Sequence, residues 1–409
     1  MSSFSIALSG LTAASSDLDV TANNVANADT IGFKQSRAEF ADVYAAGAVN
    51  LNTSSIGEGV RLAATAQQFT QGNITTTSSN LDLAISGDGF FTLSDPSNGI
   101  VYTRNGQFSE DKNGDVVTAT GQALQVYPPT TNGGFNTGTL TNLNLQTAQS
   151  APLATSTGSV ILNLPANSAV PADAAAFNPN DPLSYNQSTS TTVYDSLGNA
   201  YPATFYFTQT AVTGAWNVNM EVNGVAAGPA QTLTFGSNGQ VAAGGGNLTF
   251  PNFAPTDGAV APQSMTFAFG QSTQYGGSFG VTSINQNGFA TGQLSTVSID
   301  PTGIVSAVYT NGRSTELGQL ALANFPNPQG LKQLGDTNWS ETFTSGTHIS
   351  GTAGTAGFGS IQSGALESSN VDLTTELVNM ITAQRAFQAN AQVITTANQL
   401  SQTVINITH

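Results

Sequence analysis

The chain has 409 residues, too many for one ordinary core, and only 8% of them are charged against roughly 25% in a typical soluble protein. Eight basic residues against 24 acidic ones give a net charge of -16, a balance that repels phosphate backbones and anionic lipid heads and makes nucleic acid a poor partner. Cysteine is absent, which excludes disulfides, thiolate metal sites and cysteine nucleophiles.

The first element is a helix. Phe4, Leu8, Leu11, Ser15, Leu18, Ala22 and Val25 recur in alternating steps of four and three, the spacing of a heptad seam on one helix face. The first basic side chain is Lys34, so the start lacks the charged region of a secretory signal, and no apolar run approaches the ~20 residues of a membrane span. Membrane insertion is not expected, and export is expected to use another route.

From about Gly72 to Tyr127 apolar and polar residues alternate, as in Leu81, Leu83, Ile85 and then Phe91, Leu93, which reads as β-strands. Three turns share the form Asp-x-x-Gly, at Asp111 to Gly114, Asp195 to Gly198 and Asp300 to Gly303. In each the Asp carboxylate accepts a turn hydrogen bond and the Gly tolerates positive φ, so hairpins are predicted. Asp111, Asn113 and Asp115 also resemble part of a calcium loop, but no Glu completes it.

Between Lys112 and Arg313 there is no Lys or Arg, while Asp173, Asp181, Asp195, Glu221 and Asp257 lie inside. Strand-like pieces at Thr204 to Thr208, Trp216 to Val222 and Met265 to Phe269 predict a second β-domain there. Strand character at Val297 to Ile299 and Ile304 to Tyr309 is assigned to the return leg of the first.

The last element is a second long helix, in which Leu373, Leu377, Met380, Gln384, Phe387, Ala391 and Ile394 keep the same alternation and Asn370 or Asp372 supplies the cap. Outside both seams the helices carry Asn, Gln, Thr and Ser, which suits contact with protein better than free solvation. Paired terminal helices require everything between them to leave and return, so the predicted fold is multidomain α+β. A terminal helical coiled coil (1–30 with 365–409) leads through a connecting segment (31–71) to an inner β-domain (72–146 with 285–364), and an outer β-domain (147–284) is nested within it.

Little in the sequence supports chemistry. Histidine occurs only at His348 and His409, so there is no metal-ligand pair and no ordered triad. Glycine runs such as Gly244 to Gly246 lack the ending of a phosphate loop. No cofactor, metal or catalytic residue is expected. Phe205, Tyr206, Phe207, Trp216 and Trp339 form a sugar-stacking platform only if they are exposed, as in a secreted β-rich adhesin; strand-core packing is the competing assignment.

Four runs carry a resemblance. They are Leu18-Asp-Val-Thr-Ala-Asn-Asn-Val-Ala-Asn-Ala-Asp-Thr-Ile-Gly-Phe-Lys34, with Asn24, Asn27, Gly32 and Phe33 as its signature; Leu81-Asp-Leu-Ala-Ile-Ser-Gly-Asp-Gly-Phe-Phe91; Tyr102-Thr-Arg-Asn-Gly-Gln-Phe108; and Gly364-Ala-Leu-Glu-Ser-Ser-Asn-Val-Asp372 continuing into Gln384-Arg-Ala-Phe-Gln-Ala-Asn390. In order and content they resemble the bacterial flagellar rod and hook axial proteins over about 1–127 and 285–409. The length and the inserted middle resemble the hook branch rather than the distal rod or a hook-associated junction protein.

The resemblance implies a non-enzymatic subunit that assembles with copies of itself into a helical homopolymer, a curved and flexible tube that passes torque from rod to filament. It also implies the distal rod protein, the hook cap protein, the hook–filament junction protein and the flagellar type III export apparatus as partners, and an extracellular place in the flagellum. The export gate of that family reads an early Phe followed four residues later by an apolar one, a pattern that Phe4 and Leu8 occupy here. The seam residues Phe4, Leu8, Leu11, Leu18, Val25, Leu373, Leu377, Met380, Phe387 and Ile394 are then the expected subunit-assembly surface.

Overall fold

The computed structural model describes residues 2–43, 57–145 and 149–407. His409, part of the predicted connecting segment and the predicted boundary at 146–147 lie outside the described residues. Helix α1 spans Ser2–Ala26 and helix α2 spans Leu373–Ile407. Neither helix contains Pro, and the one internal Gly, Gly10 of α1, weakens that helix without breaking it. Asp372 caps α2, its Oδ1 accepting from the backbone N–H of Thr374 (2.9 Å) and Thr375 (3.1 Å). α1 ends at an Asn-rich exit that turns at Gly32 and enters the hairpin of β1 (Ser36–Val43) and β2 (Gly59–Gln67). No helix among the described residues is long and apolar enough to cross a membrane.

The chain forms two compact units, the first made of Met1–Gln146, Thr296–Ala307 and Ser314–His409, the second of Thr147–Ser295 and Val308–Arg313. The terminal helices and the inner strands therefore share the first unit.

The main sheet of the first unit orders strands 294–299, 304–309, 314–320, 123–127, 90–95, 99–103, 338–340 and 332–335 side by side. Strands from distant parts of the sequence interleave in it. Strand 90–95 of this sheet, and strand 83–86, which pairs with 360–363 outside it, do not alternate as predicted: Leu83, Ala84 and Ile85 are all buried, and so are Phe90 and Phe91. Phe91 joins one cluster with Leu93, Val101 and Leu322, while Phe90 joins Tyr102, Phe325 and Trp339 in another. Two apolar clusters, each claiming one of these successive residues, erase the period-two signal.

The second unit holds a four-stranded sheet (247–253, 263–268, 157–163, 280–286) and a five-stranded sheet built on 187–194, 200–209 and 215–222. One cluster that includes Phe205, Phe207, Trp216, Phe250, Phe267 and Phe269 takes residues from both. Phe205, Phe207, Trp216 and Trp339 are thus core residues, and no exposed aromatic platform exists at them.

Each Asp-x-x-Gly turn links two consecutive paired strands, and each Gly N–H donates to the Asp carbonyl at 3.0, 3.1 and 2.9 Å in turn. At the first turn Asp111 Oδ1 accepts from the N–H of Asn113 and Asp115, so the carboxylate is occupied by its own loop.

Candidate functional site

α1 and α2 pack against each other within one chain, but not chiefly through the predicted apolar seam. In α1 the residues most withdrawn from solvent are Ala7, Ala14, Thr21 and Asn24, with Gly10 and Asp17 half-buried between them. This stripe also alternates in steps of three and four, and it is made of small and polar residues. A Cβ built on Gly10 would stand 2.7 Å from Asn390 Oδ1, which measures how closely the helices approach there.

On α2 the facing positions are Glu376 and Ala383, buried, with Met380, Phe387, Asn390 and Ile394 half-buried. Of the predicted seam, then, Met380, Phe387 and Ile394 turn inward. Leu11, Leu18 and Val25 are half-buried, and Phe4, Leu8, Leu373 and Leu377 remain 43 to 48% exposed. Small residues let the backbones close without spending Phe4, Leu8, Leu373 and Leu377, which stay on the outside of the pair. Val378, Ile381, Val393 and Leu400 extend that open apolar surface along α2.

Where the pair meets the hairpin, amides do the joining. Asn24 Nδ2 donates to the Ser36 carbonyl (2.7 Å) and to Glu376 Oε2 (3.2 Å), while its Oδ1 accepts from the Ser36 N–H (2.9 Å). Gln35 Nε2 donates to Glu376 Oε1 at 2.7 Å and Asn379 Nδ2 to the same oxygen at 3.2 Å. A buried carboxylate is thus held by three side-chain amides. Burial, and next the charge of Glu376, push the Asp17 carboxyl above its usual range. Asn27 acts locally: its Nδ2 donates to the Asn23 carbonyl and its Oδ1 accepts from Thr30.

Below this lies a buried ion triad. Lys34 Nζ sits 2.6 Å from Glu367 Oε1, and an Arg104 terminal nitrogen sits 3.1 Å from Glu367 Oε2. Lys34 also donates to the Thr70 carbonyl at 2.8 Å, and the Gly72 N–H donates to Glu367 Oε1 at 2.9 Å. Burial lowers the Lys34 pKa while the Glu367 carboxylate raises it, and burial likewise lowers that of Arg104. Asn370, named with Asp372 as an alternative cap, accepts from the Gln35 N–H and donates to the Gln68 and Thr70 carbonyls.

Gly32 completes the junction. Its φ is +71°, its N–H donates to the Glu367 carbonyl at 2.8 Å, and a Cβ there would lie 2.5 Å from Asn105 N. Phe33 beside it is buried. Three of the four quoted motifs, through Lys34, Arg104 and Glu367, therefore meet at one point. The triad was not singled out from sequence, although three charges inside motifs of a chain with 8% charged residues were the available signal.

Comparison with known proteins agrees with this layout. The chain matches the models of the flagella basal body rod protein over 4–34, the flagellar hook protein FlgE/F/G D1 domain over 84–178, the flagellar basal body protein FlaE D2 domain over 163–289 and the flagellar basal body rod FlgEFG protein C-terminal over 362–407. It is 40% identical over 413 residues to the flagellar hook protein FlgE of Escherichia coli, covering 99% of both chains. With that of Borreliella burgdorferi it shares 32% identity over 434 residues and 98% of each chain. A crystal structure of Helicobacter pylori flagellar hook protein FlgE2 superposes with TM-score 0.53 at 14% identity, over 72% of this chain and 100% of that one, a likeness of fold.

Proposed function

The chain belongs to the flagellar hook protein family, and from that premise we propose that it is the structural subunit of a bacterial flagellar hook, polymerising with copies of itself into a curved, flexible tube that carries motor torque from rod to filament. The observation that carries the reading is the open apolar surface of the terminal helix pair. A pair that closes through Ala7, Gly10, Ala14 and Ala383 while leaving Phe4, Leu8, Leu373 and Leu377 exposed keeps its strongest hydrophobic groups for neighbours.

Burying the part of each such side chain that is still open, worth roughly half of the 1.5–3 kcal/mol of a fully exposed one, is what drives assembly. Helices of neighbouring subunits make the inner wall, with the half-buried Leu11, Leu18 and Val25 completing the contact layer and Met380, Phe387 and Ile394 packing chiefly inside each pair. The ion triad and Gly32 fix the angle at which the pair meets the β-structure. Outer surfaces of Ser, Thr, Asn and Gly, with few long charged side chains, make few directional contacts, so neighbours slide at small cost as the tube bends.

The subunit leaves the cell unfolded through the flagellar type III apparatus, with Phe4 and Leu8 read at its gate before they join the assembly surface. In place it meets the distal rod protein, the hook cap during growth and the junction protein at the filament end.

The test is assembly of purified protein followed by negative-stain microscopy. The full chain is expected to form tubes, and deletion of 1–30 or of 371–409 to abolish them while the second unit stays folded. Normal tubes from either truncation would sink the reading.

A further inference from the structure

Phe343 lies in the loop 341–348 between strands 338–340 and 349–351, and its side chain is 102% exposed. Phe4, Phe40 and Tyr275, also exposed, stand at 43, 40 and 49%. A single exposed apolar side chain is ordinary on a mobile loop. This loop is held at both ends and underneath. Glu341 Oε2 meets His348 Nδ1 at 2.6 Å and accepts from the His348 N–H at 3.3 Å, closing its base. Ser345, fully buried, donates its hydroxyl to the Thr342 carbonyl (2.8 Å) and accepts from the Thr342 N–H (2.9 Å), which sets the turn that carries Phe343.

A short 3-10 turn, Pro328–Gly330, supports the loop. Asn327 donates through its side chain to the Thr344 carbonyl and through its backbone to the Ser345 carbonyl. A Cβ on Gly330 would stand 2.5 Å from Ser345 N, so the loop backbone rests directly on that glycine.

We propose that Phe343 is a pre-organised anchor by which one subunit grips a second copy of this chain. The inference rests on the polymer reading above, and it names a contact outside the terminal helices. A rigidly presented aromatic side chain loses little conformational freedom on docking and buries a large area, the properties of an interface hot spot. The partner is a second copy because a homopolymer sets copies of the same chain side by side. With 8% of residues charged there are also few ion pairs to hold such a neighbour instead. Exposed Ile349 at the end of the loop enlarges the apolar contact.

The experiment compares the full chain with Phe343→Ser and Phe343→Tyr, and also places a photo-reactive benzoyl-phenylalanine at 343. Melting temperatures of the three monomers should coincide, because the side chain touches nothing that holds the fold. Phe343→Ser should raise the critical concentration for tube formation about fivefold or more, Phe343→Tyr should restore it, and irradiation should yield dimers of this chain in tubes but not in dilute monomer. Unaltered tube formation by Phe343→Ser, or photo-adducts to solvent or to another protein only, would overturn the anchor while leaving the polymer intact. Failure of the unaltered chain to form tubes would instead overturn the polymer reading, and the anchor with it.

Discussion

The second unit and the terminal helix pair solve the burial problem in opposite ways. In the second unit the large side chains are spent internally: Phe205 alone makes edge contacts with Phe250, Phe267 and Phe269 at 6.0, 4.9 and 5.8 Å, and Trp216 is fully buried. In the helix pair the most buried positions of α1 are Ala, Thr and Asn; Met380, Phe387 and Ile394 are only half-buried, and Phe4, Leu8, Leu373 and Leu377 stay outside. A region that consumes its largest side chains in its own core gains its stability internally, whereas one that withholds them depends on neighbours. The difference follows from side-chain size at the contact, since both regions carry ample Leu, Ile, Val and Phe.

The two largest expected effects test whether the units answer separately. Phe205→Ala removes the centre of the second unit's core and should cost about 3–5 kcal/mol there. Glu367→Gln leaves Lys34 and Arg104 buried without their shared counter-charge and should cost about 3–5 kcal/mol in the first unit. Calorimetry that resolves two transitions should show each substitution lowering only one of them. A common shift of both would mean that the chain melts as one body and would break the contrast.

Next in size is Gly32→Ala. A positive φ costs an L residue about 1–2 kcal/mol, and the new Cβ meets backbone at 2.5 Å, so a total of about 2–4 kcal/mol is expected. Chemical denaturation read at the first unit checks it. Because the damage falls at the exit from α1, assembly should suffer more than the strand core does.

The sequence made some of this visible and hid the rest for definable reasons. Local signals were readable: the Asp-x-x-Gly hairpins and the Asp372 cap each lie within a few residues of chain. The expectation of nesting rested on two heptad seams at opposite ends, which constrain everything between them. The contact that joins α1 to α2 was not readable, since Ala7, Gly10, Ala14 and Thr21 carry too little hydrophobicity to outweigh Phe4, Leu8 and Leu11 in any periodic pattern. The ion triad was not readable either: Lys34 and Glu367 are separated by 333 residues, and no local rule pairs them. Alternation failed at Phe90 and Phe91 because neighbouring residues face different clusters.

The smallest expected effect concerns charge inside the helix pair, where the Glu376 carboxylate is buried and that of Asp17 half-buried beside it. Asp17 on α1 shares a cleft with Glu376 on α2, Asn24, Gln35, Asn379 and Arg37, and its carboxyl is raised above the ordinary value of 3.8 by burial and by the Glu376 charge. A carboxyl whose folded pKa exceeds its unfolded one binds its proton more readily when folded. Its contribution therefore favours folding fully below the unfolded value and is lost as pH rises through the folded value. At neutral pH the ionised Asp17 opposes closure of the pair. Asp17→Asn keeps the shape, removes the charge and should stabilise the first unit at pH 7 by at most about 1 kcal/mol, the partial exposure of the site screening the rest. Towards pH 3 the gain should vanish, because there the native carboxyl is protonated too. Asp372 and Glu341, whose carboxyls are lowered by the hydrogen bonds they accept, lose stabilisation on acidification in both proteins alike. The quantity to measure is thus the difference between the two stability curves across pH. A difference that is flat, or that grows as pH falls, would mean that Asp17 does not carry this opposition.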